Sequence, residues 1–143
     1  MKVHIIEKEL SLEELQNFVK ELLSLIKGCE VILLKGNLAS GKTTLVKEIA
    51  KALHVNESVT SPTFSIQNVY ENKIYHYDIY QKGIESFLAE GLLEELEKEG
   101  LHIIEWADEK LEKILDGYMI DYTEIKIEEK EDKRVYKVNR CIH

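Results

Sequence analysis

Residues 36–44 read GNLASGKTT, and only Lys35 separates them from a run of four apolar residues at 31–34. The pattern GxxxxGK[ST], in which a glycine-rich loop joins a buried strand to a helix, is satisfied by Gly36, Gly41, Lys42 and Thr43. Such a loop curls so that successive backbone N–H groups point at one centre, and the positive end of the following helix dipole faces the same point. The pattern therefore predicts a phosphate-binding loop.

Each residue of this loop has an expected part in holding a nucleotide. Lys42 is expected to pair with the β- and γ-phosphates, and the hydroxyl of Thr43 is expected to ligate Mg²⁺. The expected binding set also contains Gly36, Asn37, Leu38, Ala39, Ser40, Gly41 and Thr44. A chance match in a glycine turn is the alternative. The apolar strand before the loop and the amphipathic helix after it favour nucleotide binding.

Two acidic residues on expected strands are the candidates for catalysis beside Lys42. Glu105 follows the apolar run LHII at residues 101–104, the position from which a carboxylate reaches Mg²⁺ directly or through water. Asp78 alternates with apolar neighbours on another expected strand. We expect both carboxylates at the reaction centre, with Glu105 joining Thr43 as a metal ligand. The alternatives are an ordinary strand-end charge for Glu105 and a solvent-facing position for Asp78.

Hydrophobic periodicity predicts alternating strands and helices around these residues. Strands are expected at residues 3–6, 31–34, 64–70, 74–80, 101–104, 124–129 and 134–138, the last two forming a more exposed hairpin. Helices are expected from the capping box at Ser11 as far as Gly28, at residues 42–53 and at residues 88–99. A strand, a loop and a helix in this order are typical of a parallel α/β sheet. We expect a P-loop NTPase fold, with a central mostly parallel sheet, flanking helices and antiparallel edge strands.

Length and composition indicate one globular domain over residues 1–143. The net charge of −8 disfavours tight autonomous binding of nucleic acid, which depends on clustered lysine and arginine. Cys29 and Cys141 lack the spacing of a zinc site or disulfide framework, so we expect two free thiols in a reducing compartment. Because no apolar stretch approaches the roughly 20 residues that span a bilayer, we expect a cytoplasmic protein with no membrane partner.

Other residues discriminate among the classes of P-loop protein. A GTPase is expected to read guanine through an Asn-Lys-x-Asp segment, and the sequence contains none. A small-molecule kinase usually carries an arginine-rich lid, whereas this chain has two arginines, Arg134 and Arg140. Three classes stay open on these grounds: an ATPase that drives a partner assembly, a small-molecule kinase and a non-hydrolysing nucleotide-binding adaptor.

Three further motifs follow the loop in order along the chain. They are SPTF at residues 61–64, HYDIY at residues 76–80 and IEW at residues 104–106. Together with GNLASGKTT they resemble the TsaE (YjeE) family over nearly the whole chain. This family comprises small ATPases that support bacterial synthesis of tRNA threonylcarbamoyladenosine. The resemblance implies Mg²⁺-dependent ATP hydrolysis with TsaD-type and TsaB-type proteins as partners, and contact with tRNA only indirectly.

The resemblance also implies roles for single residues. Asp78 belongs to a segment beside the γ-phosphate, where it orients water or lies in the outer coordination shell of the metal. Thr63 is implied to sense the γ-phosphate, with a Ser-Pro turn that opens a strand as the alternative explanation. Ser11 is expected first as a helix cap, and its turn resembles the family segment that borders the adenine. For Trp106, a place near the nucleotide and packing in the core are equally good explanations. The sequence departs from the family pattern at Asn37, Ala39, Ser40, Gln81 and Ala107.

The positions of the two arginines bear on which group supplies the catalytic cation. P-loop enzymes commonly neutralise charge on the transferred phosphoryl group with an arginine. Both arginines lie far along the sequence from the loop and from Asp78. The cation is therefore a lysine other than Lys42, Arg134 folded over from the C-terminal hairpin, or a residue of a partner. A partner residue is the simplest source, so we expect slow hydrolysis by the isolated chain and stimulation by the partners.

Overall fold

The computed structural model describes residues 1–26, 30–37, 40–59, 67–79, 83–89 and 91–143. Its strands are β1 (Lys2–Leu10), β2 (Val31–Lys35), β3 (Gln67–Tyr70), β4 (Ile74–Asp78), β5 (Leu101–Glu105), β6 (Tyr122–Lys130) and β7 (Lys133–Cys141). Its helices are α1 (Leu15–Leu25), α2 (Lys42–Ala52), α3 (Gly83–Ala89), α4 (Leu92–Glu95) and α5 (Glu109–Gly117). Within these ranges, every helix falls short of the length and apolar character that crossing a membrane requires.

The strands form one sheet in the order β1-β7-β6-β2-β5-β4-β3. The central strands β6, β2, β5 and β4 run parallel, whereas β3 at one edge and β7 with β1 at the other are antiparallel to their neighbours. The predicted fold class is therefore confirmed. In this register Leu34 lies beside Glu105, and Glu105 lies beside Asp78. The carboxyl ends of β2, β5 and β4 consequently meet at one end of the sheet.

Strand β2 is buried on both faces because helices cover both sides of the sheet. Ile32 and Leu34 belong to the apolar core that includes residues of α1 and α2. Val31 and Leu33 point the other way and pack in a second core with residues of α3, α4 and α5. A continuous apolar run, rather than an alternating one, is what a strand covered on both faces requires.

Two predicted elements differ from the structure. The helix expected at residues 88–99 is wrong: α3 and α4 occupy this region, and Gly91 between them has a left-handed φ of 70°. The helix α5 was not expected, and it begins where the Asp108 carboxylate accepts a hydrogen bond from the backbone N–H of Leu111 at 3.0 Å. Asp108 thus supplies the N-cap that stabilises this short helix.

The C-terminal hairpin is longer and less exposed than predicted. Strand β6 lies in the interior of the sheet, because it pairs with β7 on one side and in parallel with β2 on the other. Ile125 and Ile127 of β6 are buried in the core beneath α1 and α2. The predicted strand residues 64–66 and 80, and the predicted helix stop Gly28, lie outside the described residues.

Candidate nucleotide site

The loop after β2 packs closely against β6 at its first glycine. A Cβ added to Gly36 would lie 2.4 Å from the Ser40 Oγ and 2.8 Å from the backbone oxygen of Ile127. Neither distance is compatible with a methyl group, so only glycine fits between the loop and the strand. The first glycine of the pattern is therefore required by a close approach between two backbones.

The second glycine of the pattern turns the chain into α2. Gly41 has a φ of 103°, a conformation that side chains with a Cβ rarely adopt. The helix begins at the next residue, Lys42, and the backbone N–H of Leu45 donates to the Gly41 oxygen at 3.0 Å. The first turn of an α-helix carries N–H groups that no helical carbonyl accepts. The amino end of α2 thus provides an anion-binding position directly after the loop.

The Lys42 side chain folds back across the loop that precedes it. Its Nζ donates hydrogen bonds to the backbone oxygens of Gly36 at 2.7 Å and of Asn37 at 3.0 Å. An ammonium group has three donors, and these two carbonyls use two of them. Among the described residues these two carbonyls are its hydrogen-bond acceptors, which leaves one donor for a further acceptor, and the charged end of Lys42 lies against the loop.

Two carboxylates lie near enough to act on the charge of Lys42, and one aromatic ring contacts its ammonium group. Burial lowers the pKa of Lys42, while the negative charges of Glu105 and Asp78 act in the opposite direction. The Lys42 Nζ lies 4.0 Å from the centre of the Trp106 ring, within the range of a cation–π contact. The structure therefore brings together Lys42, Glu105 and Asp78, which the sequence analysis selected on three separate elements.

Glu105 is held in place by a histidine on the neighbouring strand. It ends β5 with only 3% of its surface exposed, and its Oε2 is in direct hydrogen-bond contact with the His76 Nε2. His76 lies two residues before Asp78 on β4, so the two side chains share one face of the sheet. The Nδ1 of His76 is buried and has no hydrogen-bond partner among the described residues. His76 therefore supports the Glu105 carboxylate from the neighbouring strand.

Core packing, one of the two explanations that the sequence left open for Trp106, is seen in the structure. The Trp106 backbone has a φ of 65°, so the chain bends sharply after Glu105. A non-glycine residue in this region costs on the order of 1–2 kcal/mol. The ring packs against the core beneath α5, and it also contacts the Lys42 ammonium group. The sharp bend thus joins the end of β5 to the loop through one side chain.

Arg134 reaches the loop from the C-terminal hairpin, although it is remote in sequence. Its Nε donates to the backbone oxygen of Ser40 at 3.1 Å. Arg134 also pairs with Leu10 across the strands β7 and β1, and Leu10 immediately precedes Ser11. The predicted capping box at Ser11 is confirmed, because its backbone N–H and hydroxyl both donate to the Glu14 carboxylate. Arg134 thus lies beside Leu10, the residue before Ser11, and its side chain contacts the loop at Ser40.

The remaining loop residues divide between described and undescribed positions. Asn37, Thr43 and Thr44 are described, with Thr43 and Thr44 in the first turn of α2. Several residues selected from the sequence lie outside the described ranges: Leu38, Ala39, Thr63 with the rest of its SPTF motif, and Gln81.

A cluster of charges on the other face of the sheet was missed by the sequence analysis. The Lys35 Nζ lies 2.7 Å from Glu124 and 3.1 Å from Glu112, and the Lys2 Nζ bridges the same two carboxylates at 3.2 and 3.1 Å. Lys35 is the residue directly before Gly36. The end of β2 is thereby anchored to β6 and α5 at the point where the loop departs. A lysine closing an otherwise apolar strand was the only local signal of this cluster.

A family model described as "Threonylcarbamoyl adenosine biosynthesis protein TsaE" matches residues 10–138. The chain belongs to the TsaE family. Among curated proteins, this TsaE family member is 42% identical over 101 residues to the tRNA threonylcarbamoyladenosine biosynthesis protein TsaE of Aquifex aeolicus, covering 65% of this chain and 74% of that protein. It is 38% identical over 87 residues to the protein of the same name from Treponema pallidum, covering 59% of this chain and 64% of that one.

The fold has a counterpart among solved structures. The crystal structure of Bacillus subtilis YdiB superimposes with a TM-score of 0.67 and 25% sequence identity. The superposition covers 97% of this chain and 86% of the YdiB chain. The fold described above is thus similar to that of YdiB over nearly the whole length of this TsaE family member.

Proposed function

We propose that this TsaE family member binds ATP with Mg²⁺ and hydrolyses it in support of tRNA threonylcarbamoyladenosine biosynthesis. The pathway follows from the names of the family and of its curated relatives. The observation that carries the ATPase proposal is the convergence of Lys42, Glu105 and Asp78 at one end of the sheet, around a phosphate-type loop. Ligands of open α/β sheets bind at this end of the strands.

The loop residues fit a bound triphosphate. Gly36 and Gly41 give the loop the close approach and the left-handed turn that a backbone cradle needs. The Ser40 hydroxyl is buried and has no hydrogen-bond partner among the described residues. A phosphate oxygen is an acceptor for such a hydroxyl, for the third Lys42 donor and for the backbone N–H groups at the start of α2.

Each side chain around the loop has its own role in binding phosphate, metal or water. Lys42 holds the terminal phosphates, and the Thr43 hydroxyl and Glu105 hold the metal. Mg²⁺, when bound, neutralises the charge that develops on the transferred phosphoryl group. Asp78, beside Glu105 in the sheet register, orients the attacking water or a water of the outer coordination shell. His76 fixes the direction of the Glu105 carboxylate through its hydrogen bond.

The proposed partners are the TsaD-type and TsaB-type proteins, with tRNA contacted through them. The net charge of −8 suits docking against a basic protein face and disfavours direct binding of RNA. The catalytic cation is supplied either by a partner residue or by Arg134, whose guanidinium already contacts the loop at Ser40. Contribution of the cation by a partner couples hydrolysis to assembly.

The testing experiment measures steady-state phosphate release from the purified chain, with and without the two partner proteins. We expect slow release alone and stimulation by the partners, because an arginine supplied in trans raises phosphoryl-transfer rates by roughly 10³–10⁵. Arg134→Ala tests the internal source, and Arg140→Ala at the far end of β7 is the matched control. Fast partner-independent release that collapses in Arg134→Ala alone would refute donation by a partner.

The two carboxylate variants separate hydrolysis from binding. Glu105→Ala and Asp78→Ala are expected to retain much of the ADP affinity while losing phosphate release, since their contacts act on metal and water. A phosphorylated acceptor in place of free phosphate would indicate a small-molecule kinase. ATP binding without any release, even with partners present, would indicate a nucleotide-binding adaptor.

A further inference from the structure

A group of unlike side chains converges at the end of the sheet opposite the phosphate loop. Asp116 lies at the end of α5, and Cys141 ends β7 beside Tyr122, the first residue of β6. The Asp116 Oδ1 lies 2.7 Å from the His143 Nε2 and 3.6 Å from the Cys141 Sγ. The Cys141 Sγ and the His143 Nε2 are 4.0 Å apart. A carboxylate oxygen, a thiol sulfur and an imidazole nitrogen thus point at one position.

These separations are close to those of a tetrahedral zinc site. Zinc binds sulfur at about 2.3 Å and nitrogen or oxygen at about 2.0–2.2 Å, so tetrahedral ligand atoms lie roughly 3.3–3.6 Å from one another. Each observed separation differs from this range by at most about 0.6 Å. Side-chain rotation alone can make up such a difference, particularly for Asp116, whose side chain is 46% exposed.

A second carboxylate orients the histidine toward this position. The Asp121 Oδ1 accepts hydrogen bonds from the His143 Nδ1 at 3.1 Å and from the backbone N–H of His143 at 2.8 Å. When Nδ1 carries the proton, the lone pair of Nε2 is directed at Asp116 and Cys141. A carboxylate behind a ligating histidine is the usual support for metal-binding imidazole, because it fixes both the tautomer and the ring direction.

We propose that Asp116, Cys141 and His143 bind a divalent transition metal of the zinc class, with Asp121 positioning the histidine. A thiolate and an imidazole favour Zn²⁺ or Co²⁺ over Mg²⁺, which prefers oxygen ligands. Three protein ligands leave the fourth position to water. The metal would link the end of α5 to the end of β7, at the end of the sheet away from the proposed ATPase site.

Metal binding at this site displaces protons. Zn²⁺ binds the thiolate of Cys141 and the neutral imidazole of His143, so protons held by these groups are released to solvent. Affinity should therefore rise with pH.

The experiment uses the full chain without an affinity tag, stripped of metal with a chelator. Zn²⁺ affinity is measured by competition with a chromophoric chelator, and Co²⁺ is added separately to record thiolate-to-cobalt charge-transfer absorption. We expect one Zn²⁺ per chain and a charge-transfer band. Cys141→Ser and His143→Ala should each weaken Zn²⁺ by tenfold or more, and Cys141→Ser should remove the band.

Further variants test whether the metal binds at Asp116, Cys141 and His143 or elsewhere in the chain. Asp121→Asn should weaken Zn²⁺ by about 10–100-fold and keep the band, as loss of an outer-shell partner does. Cys29→Ser, at the other cysteine, and Lys42→Ala, in the phosphate loop, should leave affinity and band unchanged. Absence of the band in the parent chain, or its loss in Cys29→Ser instead of Cys141→Ser, would overturn the proposal. His143→Ala tests it again without changing the buried cysteine.

Discussion

Glu124 should be a main electrostatic determinant of the stability of this fold. Its side chain is 1% exposed and lies on β6 against Lys35, Lys2 and Asn139. The Asn139 amide donates to its Oε1 at 3.2 Å, and both ammonium groups contact its Oε2. Glu124→Gln keeps the shape of the side chain and removes its charge, leaving the two lysines with Glu112 as their remaining carboxylate in this cluster.

The size of the effect follows from the pKa of Glu124. Burial acts to raise this pKa, but the hydrogen bond and charge of Lys35, with Asn139 and Lys2, lower it from 4.5 to about 2. At about 1.4 kcal/mol per pH unit, this difference is worth roughly 3 kcal/mol. Lys35 and Lys2 are partly exposed, so solvent screening reduces the expected loss to about 2–3 kcal/mol.

The pH dependence has a definite sign. Because the pKa is lowered in the folded state, the stabilisation is complete above pH 4.5 and is lost as the pH falls through that value toward 2. Urea unfolding, followed by circular dichroism, should show Glu124→Gln less stable by about 2–3 kcal/mol at pH 7. At pH 3.5 the difference from the parent chain should be smaller by about 1 kcal/mol.

The control is Glu128→Gln, which affects an exposed pair with Lys137 on the same hairpin. That variant should change stability by less than about 1 kcal/mol at either pH. Equal stability of Glu124→Gln and the parent chain at pH 7, or a difference that stays constant down to pH 3.5, would refute the reasoning.

Three further predictions concern the loop and its supports. Lys42→Ala should abolish ATP binding with secondary structure unchanged, because a charge-assisted phosphate contact is removed; unchanged affinity by calorimetry would contradict the assignment of the loop. Gly36→Ala should lower stability by about 1–3 kcal/mol in urea and weaken ATP binding, since its Cβ would meet Ser40 and the Ile127 oxygen; parent-like values for both would show that the loop can relax. His76→Phe should reduce phosphate release more than ADP affinity by freeing the Glu105 carboxylate, and rates equal to the parent would exclude a positioning role.

The groups around the phosphate loop were accessible to sequence analysis because each follows from a local pattern. The spacing of Gly36, Gly41 and Lys42 specifies a strand–loop–helix unit, and Glu105 stands at the end of an apolar run. Parallel strands bring their carboxyl ends to one edge of the sheet, so fold class predicts Glu105 and Asp78 at the same edge, and the pairing of β4 with β5 makes them neighbours.

The residues of β6 and β7 that contact the loop could not be predicted in the same way. That β6 lies beside β2 is a long-range choice, and no residue within the hairpin specifies it. The Ile127 oxygen behind Gly36 and the Arg134 contact with Ser40 both depend on that choice. The helix expected at residues 88–99 failed for a local reason instead, because the apolar period continues past Gly91 while the backbone there turns left-handed.

The interior position of β6 has a consequence for the order in which the site can be made. The loop sequence ends at Thr44, whereas the strand that supports its first glycine contributes Ile127, about 80 residues later in synthesis. At translation rates of roughly 5–20 residues per second, Ile127 of β6 is synthesised about 4–16 s after the loop. A nascent chain can therefore carry every side chain of the proposed ATPase and still lack the backbone that holds the loop in shape.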